Sequence, residues 1–269
     1  MQRLLVTGGC GYLGRELVRL APSAGWEVRA TWWRRRPSGE AGRPGKAGRP
    51  GKATWLQADV RDADAMRRAV EGVDAVIHTA YVQGADEWSV NVEGTAAVAA
   101  AARGRRFVHL SSDLVFDGTR GRYRETDEPA PVNSYGRSKA EAERRALDTH
   151  GRATLARTSL IYGGGEPGPQ ERLAVEGTRF YVDEIRSPVQ VGDLARALLE
   201  LLGLDAAGPL HLGGADDISR FDFAVLLGAD ASRVEGVPTT PDRAPDVSLD
   251  SSLAGSLLQS PPRGVYDVL

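Results

Sequence analysis

Tyr135 and Lys139 lie four residues apart in Ser134-Tyr135-Gly136-Arg137-Ser138-Lys139, at the head of a stretch with helical patterning. On a helix that spacing stacks both side chains on one face. A free phenol, with a pKa of about 10, is a poor acid–base catalyst at neutral pH. A cation held beside it favours the phenolate and brings its pKa toward the working range. Upstream, the strand-like run Phe107-Val108-His109-Leu110 delivers Ser111-Ser112-Asp113. Open parallel sheets place ligands at the C-terminal ends of their strands. A serine hydroxyl there can hold a carbonyl oxygen while the tyrosine donates or removes its proton. Taken alone, either serine reads more readily as a strand-ending cap, and a tyrosine–lysine pair is common by chance. Their order on matching elements is what carries information.

Thr7-Gly8-Gly9-Cys10-Gly11-Tyr12-Leu13-Gly14 closes the first strand and opens the first helix, with Gly8, Gly11 and Gly14 three apart. The first glycine permits a tight turn, the second lets backbone approach a pyrophosphate, and the third lets helix and strand pack closely. The new helix then turns its free N–H groups and positive dipole end to the phosphates. Cys10 reads as a small space-filler, since no histidine is near in sequence. A site that prefers NAD carries an acid about 20 residues on. Here the second strand runs Ala30-Thr31-Trp32-Trp33 into Arg34-Arg35-Arg36, with no acid. Guanidinium groups bind a 2′-phosphate bidentately, so NADP(H) is expected over NAD(H), with Arg34 and Arg35 as its holders.

The elements that must position these groups alternate. Leu4–Val6, Val28–Thr31, Trp55–Gln57, Ala75–Ile77, Phe107–Leu110 and Thr154–Arg157 read as strands. Gly14–Ala24, Asp62–Val70, Asp86–Ala102 and Ser134–His150 read as helices. Such alternation predicts an α/β fold, a Rossmann-type doubly wound parallel sheet. Residues 1–162 are the expected dinucleotide-binding domain. Residues 163–269, where the alternation loosens after Gly163-Gly164-Gly165, are expected to form mainly a small C-terminal substrate lobe, with segments returning to the core. Residues 41–52 repeat AGRPGK twice, and 34–52 hold seven basic residues against one acid. Glycine and proline at that density predict a loop.

With 269 residues the chain can bury a core unaided. A net charge of −2 gives no global field to recruit nucleic acid or an anionic membrane, and one cysteine excludes an internal disulfide or a multi-cysteine metal site. The longest apolar run, Ala96–Ala102, is too short to span a bilayer, and the N-terminus lacks a signal-peptide core. No metal is expected, and the location expected is cytoplasmic.

The chain resembles the extended short-chain dehydrogenase/reductases, most closely their dTDP-4-dehydrorhamnose reductase-like branch. The matching stretches are TGGCGYLG (7–14), QADVRD (57–62), VIHTAY (76–81), NVEGT (91–95), HLSSDLVFDG (109–118), NSYGRSKAEAE (133–143), ARTSLIYG (156–163), DEIRSPVQVGDLA (183–195) and DRAPDVSLDSSLA (242–254). The resemblance implies Ser112, Tyr135 and Lys139 as a catalytic triad, with Asp113 near the substrate. It implies cofactor contacts from Gly8, Gly11, Tyr12, Leu13 and Gly14, and from Asp59 and Val60 at the adenine. Ala80, Tyr81, Asn91, Tyr135 and Lys139 would line the rest of the cofactor. His78 reads as a strand-end packing residue. Dehydratases of the superfamily carry Asp-Glu after the catalytic serine or threonine, whereas Asp113 is followed by Leu114. Simple carbonyl reduction is therefore expected of a ketone or aldehyde, of which a 4-keto nucleotide sugar is one candidate. The partner expected is a small-molecule carbonyl substrate, with room for a homodimer. Between Tyr162-Gly163 and Asp183-Glu184 the branch has a longer segment with a helix; here 164–182 is short and rich in glycine and proline. Two alternatives stand beside reduction: a cofactor-binding regulatory subunit without turnover, and a nucleotide-sugar epimerase.

Overall fold

The computed structural model describes residues 1–37 and 53–269. The 41–52 repeat lies outside the described residues. In chain order the elements are β1 (Gln2–Thr7), α1 (Tyr12–Leu20), β2 (Trp26–Trp32), β3 (Thr54–Gln57), α2 (Ala63–Val70), β4 (Ala75–His78), α3 (Gly94–Ala101), β5 (Arg106–Ser112) and α4 (Ser134–His150). They continue as β6 (Thr154–Thr158), β7 (Ile161–Tyr162), α5 (Pro169–Glu176), β8 (Arg179–Tyr181), β9 (Ile185–Arg186), β10 (Val189–Gln190), α6 (Val191–Leu201) and β11 (Gly208–His211). The last are β12 (Ile218–Ser219), α7 (Arg220–Leu226), β13 (Glu235–Val237) and α8 (Ser252–Leu257). Seven strands form one sheet in the order β3-β2-β1-β4-β5-β6-β11, with β3 through β5 parallel. This is the Rossmann-type sheet the alternation predicts.

Two compact units share the chain. The first comprises 1–110, 141–155 and 198–208. Its core packs Leu5, Val76 and Phe107 of the sheet against Met66 and Val70 of α2 and Val98 of α3. Each such side chain, fully buried, stabilises by roughly 1.5–3 kcal/mol. The second comprises 111–140, 156–197 and 209–269, with separate apolar clusters around Phe116 and Tyr123, around Tyr162 and Phe223, and around Phe180 and Ala224. This division differs from a boundary at 162/163. Residues 111–140 and 156–162, read with the dinucleotide-binding domain, join the second unit, and 198–208 return to the first.

Local chemistry explains where elements depart from expectation. The first helix begins at Tyr12 rather than Gly14 and ends at Leu20, passing into a 3-10 turn over Ala21–Ala24. Pro22 lacks the N–H that an α-helix would need there. Residues 86–102 are not one α-helix: Trp88–Glu93 form widened π-type turns, and α3 starts at Gly94. Within 164–182 the segment is not structureless, because Pro169 at the first turn starts α5 and β8 follows. Proline there gives up only an N–H that has no helical partner.

Candidate active site

In the first unit, the end of β1 and the start of α1 form a cradle of bare backbone. Gly8 adopts φ +68°, and its N-terminal turn is closed by Gly11 N–H donating to the Gly8 carbonyl at 2.8 Å. A Cβ on Gly14 would stand 2.2 Å from the Gly8 carbonyl oxygen, so only glycine lets helix and loop approach this closely. Gly11 caps α1 without a side-chain bond, so no side chain of the cap residue stands over the helix N-terminus. Tyr12 and Leu13 open the helix, with Leu13 buried in the core. Cys10 is half-buried, and burial pushes its thiol pKa up, opposed by Arg15 and Arg35. That suits a space-filler.

The other expected cofactor residues divide. The Ala80 backbone lies directly over Gly8, within 2.9 Å of a Cβ placed there. Tyr81 is half-exposed. Asn91 is buried and grips the Val82 backbone on both sides, accepting from its N–H and donating to its carbonyl at 2.9 Å each. It therefore fixes the loop after β4. Asp59 is held by Arg61 at 2.6 Å, and that hydrogen bond holds its carboxyl below the usual carboxylate range. The Val60 side chain is buried in the core and sits against Gly94, so only its backbone can face a ligand. Arg34 is exposed and pairs loosely with Asp86 at 3.6 Å, while Arg35 is exposed beside it. His78 is fully buried and shares hydrogen bonds with Thr7 at 2.6 Å and Thr95 at 3.0 Å, as a packing residue would.

In the second unit the expected catalytic side chains come from the end of β5 and the first turn of α4. Ser112 caps the short turn Asp113–Val115: its Oγ accepts from Leu114 N–H at 3.2 Å and donates to Asp113 Oδ1 at 3.0 Å. Asn133 starts α4 by accepting from Gly136 N–H at 2.8 Å. Tyr135 is half-buried and Lys139, one turn on, is only 3% exposed. A Cβ on Gly136 would stand 2.1 Å from the Leu114 carbonyl oxygen. The helix turn carrying Tyr135 thus packs against the backbone just after Ser112 and Asp113. Glycine costs a helix interior about 1 kcal/mol, and this close approach explains its presence.

Asp113 is buried, and burial pushes its pKa up against the lowering effects of Arg186, Ser159 and Ser112. Ser159 donates to its Oδ2 at 2.6 Å, and Arg186 Nε lies 3.8 Å from the same oxygen. Arg186 in turn meets Glu184 at 2.8 Å, and Arg243 meets Glu184 at 2.7 Å. The sequence reading did not single out Ser159, Glu184, Arg186 or Arg243. Arg186 and Glu184 alternate through a short strand-like stretch, but nothing in their spacing points to Asp113, 73 residues earlier.

A Rossmann-type sheet, a glycine cradle at its first crossover, and a tyrosine–lysine pair following a strand-end serine define an oxidoreductase of the extended short-chain dehydrogenase/reductase type. Such enzymes take NAD(P). The chain belongs to the family of the RmlD substrate binding domain, whose model matches residues 1–252. It is 33% identical over 268 residues to a dTDP-4-dehydrorhamnose reductase of Mycolicibacterium smegmatis, covering 91% of this chain and 74% of that one. It is also 28% identical over 262 residues to methionine adenosyltransferase 2 subunit beta of Bos taurus, covering 86% and 72%. Among solved structures, a hypothetical dTDP-4-dehydrorhamnose reductase from Sulfolobus tokodaii superposes with a TM-score of 0.78 at 28% identity, covering 96% of each chain. No helix among the described residues is long and apolar enough to cross a membrane.

Proposed function

We propose that the protein reduces the keto group of a 4-keto nucleotide sugar, with NADPH preferred over NADH. The observation that carries this reading is the docking of Gly136 on the Leu114 carbonyl, which joins the Tyr135–Lys139 turn to the Ser112–Asp113 corner. The Gly8–Gly14 cradle, too tight for a Cβ on Gly14, fits a pyrophosphate. When bound, a reduced nicotinamide supplies the hydride. Tyr135 gives its phenolic proton to the carbonyl oxygen, and Ser112 donates a hydrogen bond that holds that oxygen in place. Lys139, kept from bulk water, favours the phenolate left behind and bonds the nicotinamide ribose. Arg34 and Arg35 meet the 2′-phosphate from the end of β2, which carries no acid, with Arg34 exchanging its loose pairing to Asp86 for the phosphate. The sugar-nucleotide substrate rests on kinship with the mycobacterial reductase. Leu114 in place of an acid supports reduction rather than dehydration.

The test is carbonyl-dependent loss of nicotinamide absorbance with NADPH, begun on 4-keto dTDP sugars and repeated with Tyr135→Phe. Turnover should fall by at least about a thousandfold in the variant while NADPH affinity stays nearly unchanged. Undiminished reduction would remove Tyr135 from the chemistry. Similarity to methionine adenosyltransferase 2 subunit beta, named as a subunit of another enzyme, supports a second reading, a dinucleotide-binding partner protein. The intact Ser112, Tyr135 and Lys139 weigh against it, since a sensor needs no proton donor. Co-purification with a second protein, with no turnover on any carbonyl, would favour it.

A further inference from the structure

Ser112 has one hydroxyl proton, and it is committed. Its Oγ accepts from Leu114 N–H and donates to Asp113 Oδ1 at 3.0 Å. A serine hydroxyl has a single donor, so it cannot serve Asp113 and a substrate oxygen together. Turning it outward withdraws a donor from a carboxylate that is only 4% exposed. A buried charge left without partners is strongly disfavoured.

The other carboxylate oxygen is served independently of Ser112. Ser159 donates to Asp113 Oδ2 at 2.6 Å, and the Arg186 guanidinium stands 3.8 Å from it. Arg186 has little freedom to leave. It donates to Glu184 at 2.8 Å, to the Ile185 carbonyl at 2.8 Å and to the Ala244 carbonyl at 3.2 Å. Glu184 is gripped in turn by Arg243 through two bonds, at 2.7 and 3.0 Å. The cation facing Asp113 is therefore anchored by groups that play no part in binding Ser112.

We propose that Ser159 and Arg186 are positioning residues for Ser112, acting through Asp113: they keep the buried carboxylate partnered while the Ser112 hydroxyl swings from Asp113 to the substrate's carbonyl oxygen. This rests on the proposed role of Ser112 in holding that oxygen. Neither residue touches the reacting atoms. Without Ser159, Asp113 would depend on Ser112 as its one hydroxyl donor, and Ser112 would be retained.

The experiment is a double-mutant cycle on the full chain, with 4-keto dTDP sugar and NADPH as the probes. Ser159→Ala should lower kcat about tenfold, leave KM for NADPH within about twofold, and be rescued by Ser159→Thr. In a Ser112→Ala background the same change should cost less than about twofold, because its route to the substrate is already gone. Losses that multiply in the double variant, or a Ser159→Ala enzyme with normal kcat, would overturn the inference while leaving the reductase reading intact. A Ser112→Ala enzyme with normal kcat would instead overturn the role of Ser112 itself. Arg186→Lys keeps the charge but gives up the fork on Glu184 and Ala244, and should lower kcat in the same direction. Should that variant fail to fold, the Ser159 series decides alone.

Discussion

The first unit's candidate dinucleotide cradle is made of backbone: Gly8 in a left-handed turn, Gly14 against the Gly8 carbonyl, and an α1 N-terminus that Gly11 caps without a side-chain bond. The second unit's candidate catalytic corner is made of side chains, with Ser112, Asp113, Ser159, Arg186 and Glu184 joined by hydrogen bonds and ion pairs in the interior. Backbone donors need only the absence of a Cβ, so they follow from glycine spacing within eight residues. Buried charges need partners from several segments, and each must be held by the next. The first kind of site tolerates change in its surroundings and none in its glycines. The second is sensitive wherever the network runs.

Two glycine substitutions separate the halves. Gly14→Ala, meeting the Gly8 backbone at 2.2 Å, should cost about 2–3 kcal/mol of stability and reduce dinucleotide affinity about a hundredfold, read by thermal melts and cofactor titration. Gly136→Ala should instead depress kcat about a hundredfold and weaken dinucleotide binding far less than Gly14→Ala does. The alanine gains about 1 kcal/mol of helix propensity, yet its Cβ collides with the Leu114 carbonyl and displaces the turn carrying Tyr135. If both variants lose cofactor equally, the division of labour is wrong. Replacing Arg34 and Arg35 with Ala should weaken NADPH about ten- to a hundredfold and NADH hardly at all. Equal losses for the two cofactors would reassign those arginines to a solvated corner.

A smaller effect probes the second unit's buried polar interior. His211 is fully buried, edge-on to Phe116 at 5.8 Å, and Arg157 stacks over the same ring at 5.1 Å. Burial, with Arg157 adding to it, pushes its imidazole down to about 4. The unfolded chain takes up that proton near pH 6.5, the folded chain only near 4, so the unfolded state binds more protons in that window. Stability should therefore fall as pH drops from about 6.5 toward 4, by on the order of 2 kcal/mol. His211→Leu should flatten that part of the curve, as chemical denaturation at stepped pH would show. An unchanged slope would place the acid sensitivity elsewhere.

Much of the architecture was legible because local pattern determines it. Apolar runs marked the strands from β1 through β6, and Ser134–His150 was readable to the residue from its periodicity. Tyr135 and Lys139 were legible for the same reason, since one helical turn relates them. The π-type turns over Trp88–Glu93 were not, because a widened turn keeps nearly the same apolar spacing as an α-helix. Nor were Ser159 and Arg186, whose relation to Asp113 is set by tertiary packing rather than by any interval along the chain. Val60, which family kinship places at the adenine, keeps its side chain in the core against Gly94, so a contact there would be made by its backbone.

The polypeptide passes from one unit to the other five times, since six successive segments alternate between them. No single cut can release either as a folded fragment, and a split at 162/163 would leave each piece lacking strands or helices held by the other. Exchanging the second unit with that of a relative therefore means transplanting three stretches together: 111–140, 156–197 and 209–269. Recombination at one crossover point would assemble at least one unit from segments of both parents, so its core would have to be repacked at the same time.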